Sequence, residues 1–189
     1  MISAVVLAAS RATRFGRTKQ LEVVRGKPLA QHAVDAAVEA GLDEVVLVLG
    51  HDAEAVRSAI RLPTNGRAVI NHAYASGIAS SLGEGLRGAD PGADAAVVLL
   101  ADQPGVTAAH VRALVDAFEQ RRSAIVRLRF RSGPGPALLS REVFAEALSL
   151  DGDEGARALM ARHPGWVEDV EVSGDAPVDV DEPGDLERA

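Results

Sequence analysis

The sequence has no cysteine, one tryptophan, one tyrosine and four phenylalanines. Without cysteine it can form no disulfide, thiol nucleophile or thiolate metal site. So few aromatic rings leave little on which the bases of a single strand could stack. Basic residues are in deficit: 20 Lys and Arg against 27 Asp and Glu give a net charge of -7. That balance disfavours general binding to nucleic acid, which shows as a basic excess. Long hydrophobic runs are missing too, since no segment approaches the roughly 20 apolar residues of a membrane helix. The apolar stretch 2–9 has no charged region ahead of it and runs into Arg11, Arg14 and Arg17. It is therefore predicted to be a first buried strand and not a signal peptide, and the chain is expected to be cytoplasmic.

What is present is apolar and evenly spread, with 47% hydrophobic residues over 189 positions. That suits one domain, 1–189, with a real core. Continuous aliphatic runs at 3–8, 44–49 and 95–100 predict strands covered on both faces, as in a parallel sheet. Helical periodicity marks 28–40, 53–60, 78–87 and 108–120, with Pro28 at a first helical position and Gly41 as a stop. A short strand is expected at 67–70. Further on, strands are expected at 124–129 and 136–140 around a loop at 132–135, helices at 141–148 and 155–162, and an edge strand at 167–172. Alternation of this kind predicts an α/β fold with right-handed crossovers and a mostly parallel sheet.

Ligands of such sheets bind beyond the carboxyl ends of the strands. The loop after the first strand carries Arg11, Arg14, Arg17, Lys19, Arg25 and Lys27 against one acid, Glu22. It contains neither a dinucleotide GxGxxG nor a Walker GxxxxGK[ST]. Lys19 and Lys27 are the only lysines in the chain. A mobile point charge differs from the planar fork of arginine at a phosphate, so their placement suggests a phosphate-bearing ligand; a solvated loop is the plain alternative. Asp102, in Ala101-Asp102-Gln103-Pro104, ends the third aliphatic run and could hold Mg²⁺, or simply begin a turn or cap the next helix. Ser80 and Ser81 near a helix start could face a base or phosphate, or serve as a cap. Asp179 and Asp181 share a face if extended, and either could be a second metal ligand; the other reading is an acidic tail. His32, His51, His72, His110 and His163 have no metal-ligand spacing, and most are expected at the surface or half-buried.

Taken together, Leu7-Ala8-Ala9-Ser10-x-Ala12-x-Arg14-Phe15-Gly16-x-x-Lys19 resembles the nucleotidyltransferase signature LAAGxSxRxGxxK. Lys27-Pro28-Leu29, the stretch 77–86, Asp102-Gln103-Pro104 and Asp179-x-Asp181-x-Pro183-x-Asp185-Leu186 follow in that family's order. The nearest branch is that of the molybdenum cofactor cytidylyltransferases and their relatives, within the MobA-like NTP transferases. The resemblance implies a GT-A-like, Rossmann-type three-layer fold and Mg²⁺-dependent transfer of a nucleotide from a triphosphate to a phosphate-bearing acceptor, with release of pyrophosphate. It implies Arg14, Lys19 and Asp102 as catalytic residues. Leu7, Ala8, Ala9, Ser10, Arg14, Lys19, Ser80, Ser81, Leu82, Gly85 and Asp102 would bind the nucleotide, and Asp102 with Asp181 (or Asp179) the metal. Ala8-Ala9 favours CTP, because guanylyltransferase relatives usually carry Gly-Gly nearby. Molybdopterin is the implied acceptor and a molybdoenzyme an implied partner; nucleic acid and membrane are not. Another phosphorylated metabolite, such as a sugar phosphate, is an alternative acceptor. Ser10 stands where the family has glycine, Ala12 where it has serine, and Gly133-Pro134-Gly135-Pro136 lacks the histidine many relatives carry there. Those departures motivate a further alternative, a nucleotide- or cofactor-binding accessory protein with little catalysis.

Overall fold

The protein is described from a computed structural model covering residues 1–11 and 15–189. The chain opens with β1 (Ile2–Ala8), followed by a two-stranded ribbon of β2 (Val23–Val24) and β3 (Lys27–Pro28), then α1 (Leu29–Glu39). β4 (Glu44–Leu49), α2 (Ala53–Ala59), β5 (Gly66–Ile70), α3 (Ile78–Gly88), β6 (Ala95–Leu100) and α4 (Ala108–Arg121) come next. The last third holds β7 (Ile125–Phe130), β8 (Gly133–Ser140), α5 (Phe144–Ala147), α6 (Ala156–Arg162) and β9 (Val167–Glu171).

Seven strands form one sheet in the order β5-β4-β1-β6-β8-β7-β9. β1 pairs in parallel with β4 and β6, β4 with β5, and β7 with β9; β8 alone runs antiparallel to its neighbours β6 and β7. Aliphatic, unbroken strands form here because both faces are covered. On one face Ala4, Val6, Leu47 and Leu49 meet Ala33, Val34 and Ala37 of α1 and Val111, Leu114 and Phe118 of α4. On the other, Val5, Val48, Ala96 and Val98 meet Leu82 and Leu86 of α3, Phe144 of α5 and Leu159 of α6. The result is a three-layer α/β sandwich. No helix among the described residues is long and apolar enough to cross a membrane.

Three expected boundaries differ. The loop expected at 132–135 is shorter, because β8 begins at Gly133, which pairs with Phe130. The register shifts between Arg127 and Arg129, opposite Pro134 and Pro136, whose missing N–H groups interrupt a regular ladder. The helix expected at 141–148 is a 3₁₀ turn, Arg141–Val143, followed by the four-residue α5. Pro28 lies just before α1, paired with Val23.

Candidate active site

β1 lies mid-sheet, with β4 and β5 on one side and β6 on the other. The chain winds outward from β1 one way and then returns to its other side, so the loops after β1 and β6 open at the switch point where such sheets take ligands. Lys19 comes from the first loop, Asp102 from the second.

Lys19 starts a 3₁₀ turn, Lys19–Leu21, that sends neighbouring side chains different ways. Its ammonium donates to Asp102 Oδ2 at 2.7 Å, to the Val180 carbonyl at 2.9 Å and to Asp181 Oδ1 at 3.1 Å. The Lys19 side chain is only 6% exposed. The next residue, Gln20, turns to Ser10: its Nε2 donates to the Ser10 carbonyl at 2.9 Å and Oγ at 3.1 Å. Ser10 has no left-handed φ, so a side chain is accommodated where the related signature has glycine. Ala12 and Arg14 lie outside the described residues.

The chain end reaches the site as a strap. The Val180 N–H donates to the Asp102 carbonyl at 2.9 Å, while its side chain is buried with Phe15, Val24 and Leu29. Flanking that apolar anchor, Asp179 and Asp181 both face the cleft, as alternation requires. Their partners differ: Asp181 joins Asp102 on Lys19, whereas Asp179 accepts from Gln103 Nε2 at 2.6 Å. Asp185 Oδ2 accepts from the N–H groups of Asp181 and Glu182 at 2.9 and 2.8 Å, which fixes the bend of the strap and holds its own carboxyl below the usual carboxylate range.

Burial pushes the Asp102 carboxyl up, against the pull of Lys19, and the neighbouring Asp179 adds to the push. Burial also works against the Lys19 ammonium, but Asp102 and Asp181 outweigh it and hold Lys19 above the ordinary lysine range. Asp102 Oδ1 is buried with no hydrogen-bond partner. Two carboxylates, a carbonyl and an unused carboxylate oxygen are hard donors that suit Mg²⁺. Among the described residues there is no group of three or more His, Cys, Asp or Glu that could hold a metal. A metal here would therefore complete its shell with phosphate oxygens and water, as Mg²⁺ habitually does.

Three other basic residues of the loop, Arg17, Arg25 and Lys27, pair away from the site. Lys27 pairs with Asp35, Arg17 with Glu22 at 2.5 Å, and Arg25 donates to the Pro104 carbonyl at 2.8 Å. Of the two lysines, Lys19 alone reaches the carboxylates. Beside it opens a cleft of about 530 Å³, floored by Leu7, Val98, Leu100 and Ala137 of the sheet and walled by Ile78 and Leu82 of α3 and by α6. Asp102, Asp179 and Asp181 stand at one end, and Arg157 is the single basic residue lining it among those described.

Ser80 and Ser81 are held from behind. Asn71, 2% exposed at the end of β5, donates to Ser80 Oγ at 2.8 Å and Ser81 Oγ at 3.0 Å and accepts from the Ala73 N–H at 2.8 Å. Gly85 faces the sheet, where a Cβ would stand 2.2 Å from Val5 Cγ1; its position is one of helix–sheet packing. Ala8 and Ala9 are buried at the end of β1. Sequence reasoning missed Gln20, Asn71 and Gln103 as positioning residues. A polar side chain directly after an aliphatic strand was the available signal for Asn71; nothing local marks Gln20. His32 is buried, with Nε2–H donating to the Val24 carbonyl at 2.8 Å.

A lysine over paired carboxylates at the switch point of a mostly parallel sheet defines a nucleotide-handling α/β protein. The sequence matches the MobA-like NTP transferase domain over residues 4–167, and the chain belongs to that family. It is 32% identical to nicotine blue oxidoreductase of Paenarthrobacter nicotinovorans, over 93% of this chain and 89% of that one. The crystal structure of Rv0371c from Mycobacterium tuberculosis H37Rv superposes with a TM-score of 0.88 at 37% identity, covering 99% of this chain and 96% of that one. The manganese complex of Rv0371c superposes at 0.83 and 36% identity, with the same coverage. A nucleotidyl transferase from Methanothermobacter, Mth528, superposes at 0.83 and 29% identity, covering all of this chain and 95% of that one.

Proposed function

We propose that the chain, acting as one domain over residues 1–189, is a cytoplasmic nucleotidyltransferase that moves CMP from CTP to a phosphate-bearing acceptor of the molybdopterin type. The observation that carries this reading is the Lys19 ammonium held between Asp102 and Asp181 at the mouth of an apolar-floored cleft. An acceptor phosphate oxygen attacks the α-phosphorus, the bond to the bridging oxygen of the β-phosphate breaks, and pyrophosphate leaves with the electron pair. Such a reaction needs alignment and charge neutralisation more than covalent help from protein. Lys19 and Arg14 supply positive charge to the triphosphate and Leu82 borders the nucleotide. Asp102 and Asp181 would hold Mg²⁺, which when bound would supply charge neutralisation to the phosphates. The manganese complex of Rv0371c supports a divalent metal in this family. A flat, apolar sheet floor suits a planar ring system better than the hydroxyls of a sugar, which need polar partners on every side.

The test is a binding screen of the four nucleoside triphosphates with Mg²⁺, followed by pyrophosphate release from CTP with molybdopterin or, in parallel, glucose 1-phosphate as acceptor. Tight CTP binding and release with molybdopterin are expected. Release only with the sugar phosphate changes the acceptor. CTP bound without release under any acceptor moves the assignment to a second reading, a binding protein that carries nucleotide or cofactor to a molybdoenzyme. That reading is favoured by Ser10 and Ala12 in the signature, and by a family relative whose name states oxidoreduction and not transfer.

A further inference from the structure

An ammonium has three protons to donate. Lys19 places them on three oxygens, Asp102 Oδ2, the Val180 carbonyl and Asp181 Oδ1. As it stands, the residue assigned to the triphosphate has no donor left for a phosphate. Its three acceptors, two anionic and one neutral, are the hard oxygen set a divalent cation takes. Asp102 Oδ1, buried beside them, has no partner that the lysine could serve. A second positive centre on the same carboxylates would be repelled at contact distance by the ammonium already there.

We propose that Lys19 is the resident cation of this cage in the nucleotide-free protein, and that Lys19 and a divalent cation exclude one another from it. Lys19 leaves the cage when the divalent cation enters, and only then are its protons available to phosphate. The carboxylates are thereby partly neutralised and held in order before substrate arrives, and phosphate capture by Lys19 is tied to metal loading. What the released ammonium meets rests on the nucleotidyltransferase reading; the exclusion itself does not.

Because Lys19 and Lys27 are the only lysines, amine labelling with peptide mass analysis reads each separately. Lys27 is 38% exposed and serves as the internal reference. In metal-free protein, acetic anhydride is expected to modify Lys19 about tenfold or more slowly than Lys27, because the buried amine is fully hydrogen-bonded. Saturating Mn²⁺ without nucleotide, its binding followed by electron paramagnetic resonance, should raise Lys19 labelling several-fold relative to Lys27. EDTA should reverse the effect, and CTP added with Mn²⁺ should slow labelling again. Lys19 remaining slow with Mn²⁺ bound overturns the proposal. A variant gives the second measurement: Lys19→Met should bind Mn²⁺ about tenfold or more tightly than wild type without nucleotide, since no lysine competes for the cage. The same variant should bind CTP more weakly. Unchanged or weaker Mn²⁺ affinity in Lys19→Met, or no Mn²⁺ binding by either protein, also overturns the exclusion. Should Lys19→Met not fold, labelling of the wild-type chain decides alone. A labelling response to Mn²⁺ with no CTP binding would leave the exclusion standing and remove the nucleotidyltransferase reading; CTP binding without the response does the reverse.

Discussion

Lys19 is shielded from water by the two elements whose carboxylates it bridges, the loop after β6 and the C-terminal strap. Removing one partner of a buried ion pair is costly because the other stays behind uncompensated, by about 3–5 kcal/mol. Asp102→Asn leaves Asp181 and the Val180 carbonyl on the lysine and removes a carboxylate that burial disfavours, so its cost in urea denaturation should lie well below that range. It should also abolish Mg²⁺-dependent CTP binding in calorimetric titration; wild-type affinity would mean the metal sits elsewhere. Asn71 offers a contrast without charge. Asn71→Ala removes the donor to Ser80 and Ser81 and the acceptor for the Ala73 N–H, and should cost about 1–3 kcal/mol, chiefly by leaving the buried Ser81 Oγ without its donor. Unaltered stability would show that these groups find other partners. At this scale the sequence displayed Lys19 and Asp102 through their isolation: one of two lysines, and an acid ending an aliphatic run. It could not display that Lys27 is taken by Asp35, because the two are brought together only when α1 forms against the β2–β3 ribbon.

Helix α3 carries two interior glycines, Gly83 and Gly85, both buried but with different neighbours. Glycine in a helix costs about 0.5–1 kcal/mol relative to alanine. At Gly83 a new Cβ meets first Arg87 Nη1 at 3.2 Å, the far end of a flexible side chain that can move aside. Gly83→Ala should therefore stabilise by up to about 1 kcal/mol. At Gly85 the Cβ meets Val5 Cγ1 at 2.2 Å, in a strand fixed by β4 and β6. Overpacking costs about 1–3 kcal/mol and outweighs the gain in propensity, so Gly85→Ala should destabilise. Denaturation midpoints moving the same way in both variants would refute this division. Continuous aliphatic runs made the parallel core strands legible, since burial on both faces leaves no polar alternation to confuse them. β8 was harder: glycine and proline at 133–136 look like loop, and only pairing with Arg129 and Phe130 of β7 makes them strand.

Across the whole molecule, stability should depend on pH through two histidines. Burial lowers His32, helped by Lys27 and Arg25 and opposed by Asp35, and burial lowers His110 from the ordinary value of 6.5. A histidine lowered on folding takes up its proton more readily in the unfolded chain, so the fold loses stability as pH falls below the unfolded value. Urea midpoints should therefore decline between about pH 7 and pH 5, and the double variant His32→Gln/His110→Gln should decline less steeply. Asp102, raised by burial, acts in the opposite sense, since acid relieves its buried charge, and it is common to both proteins. Equal slopes in the two proteins would refute the assignment. The acidic net charge, -7 overall, likewise resolves into local pairings, with Arg127 on Asp169, Arg131 on Asp175 and Arg121 on Glu168 tying β9 and the following turn to the body. By itself the sequence determined the layer architecture, because the period and continuity of apolar residues dictate which faces must be buried. It also carried the signature by which the family is recognised. Tertiary structure alone decided which cations meet which acids: Asp102 and Asp181 lie far apart in sequence, and only the strap pinned by Val180 sets both on one ammonium, because a charge constellation depends on how loops close and not on any local propensity.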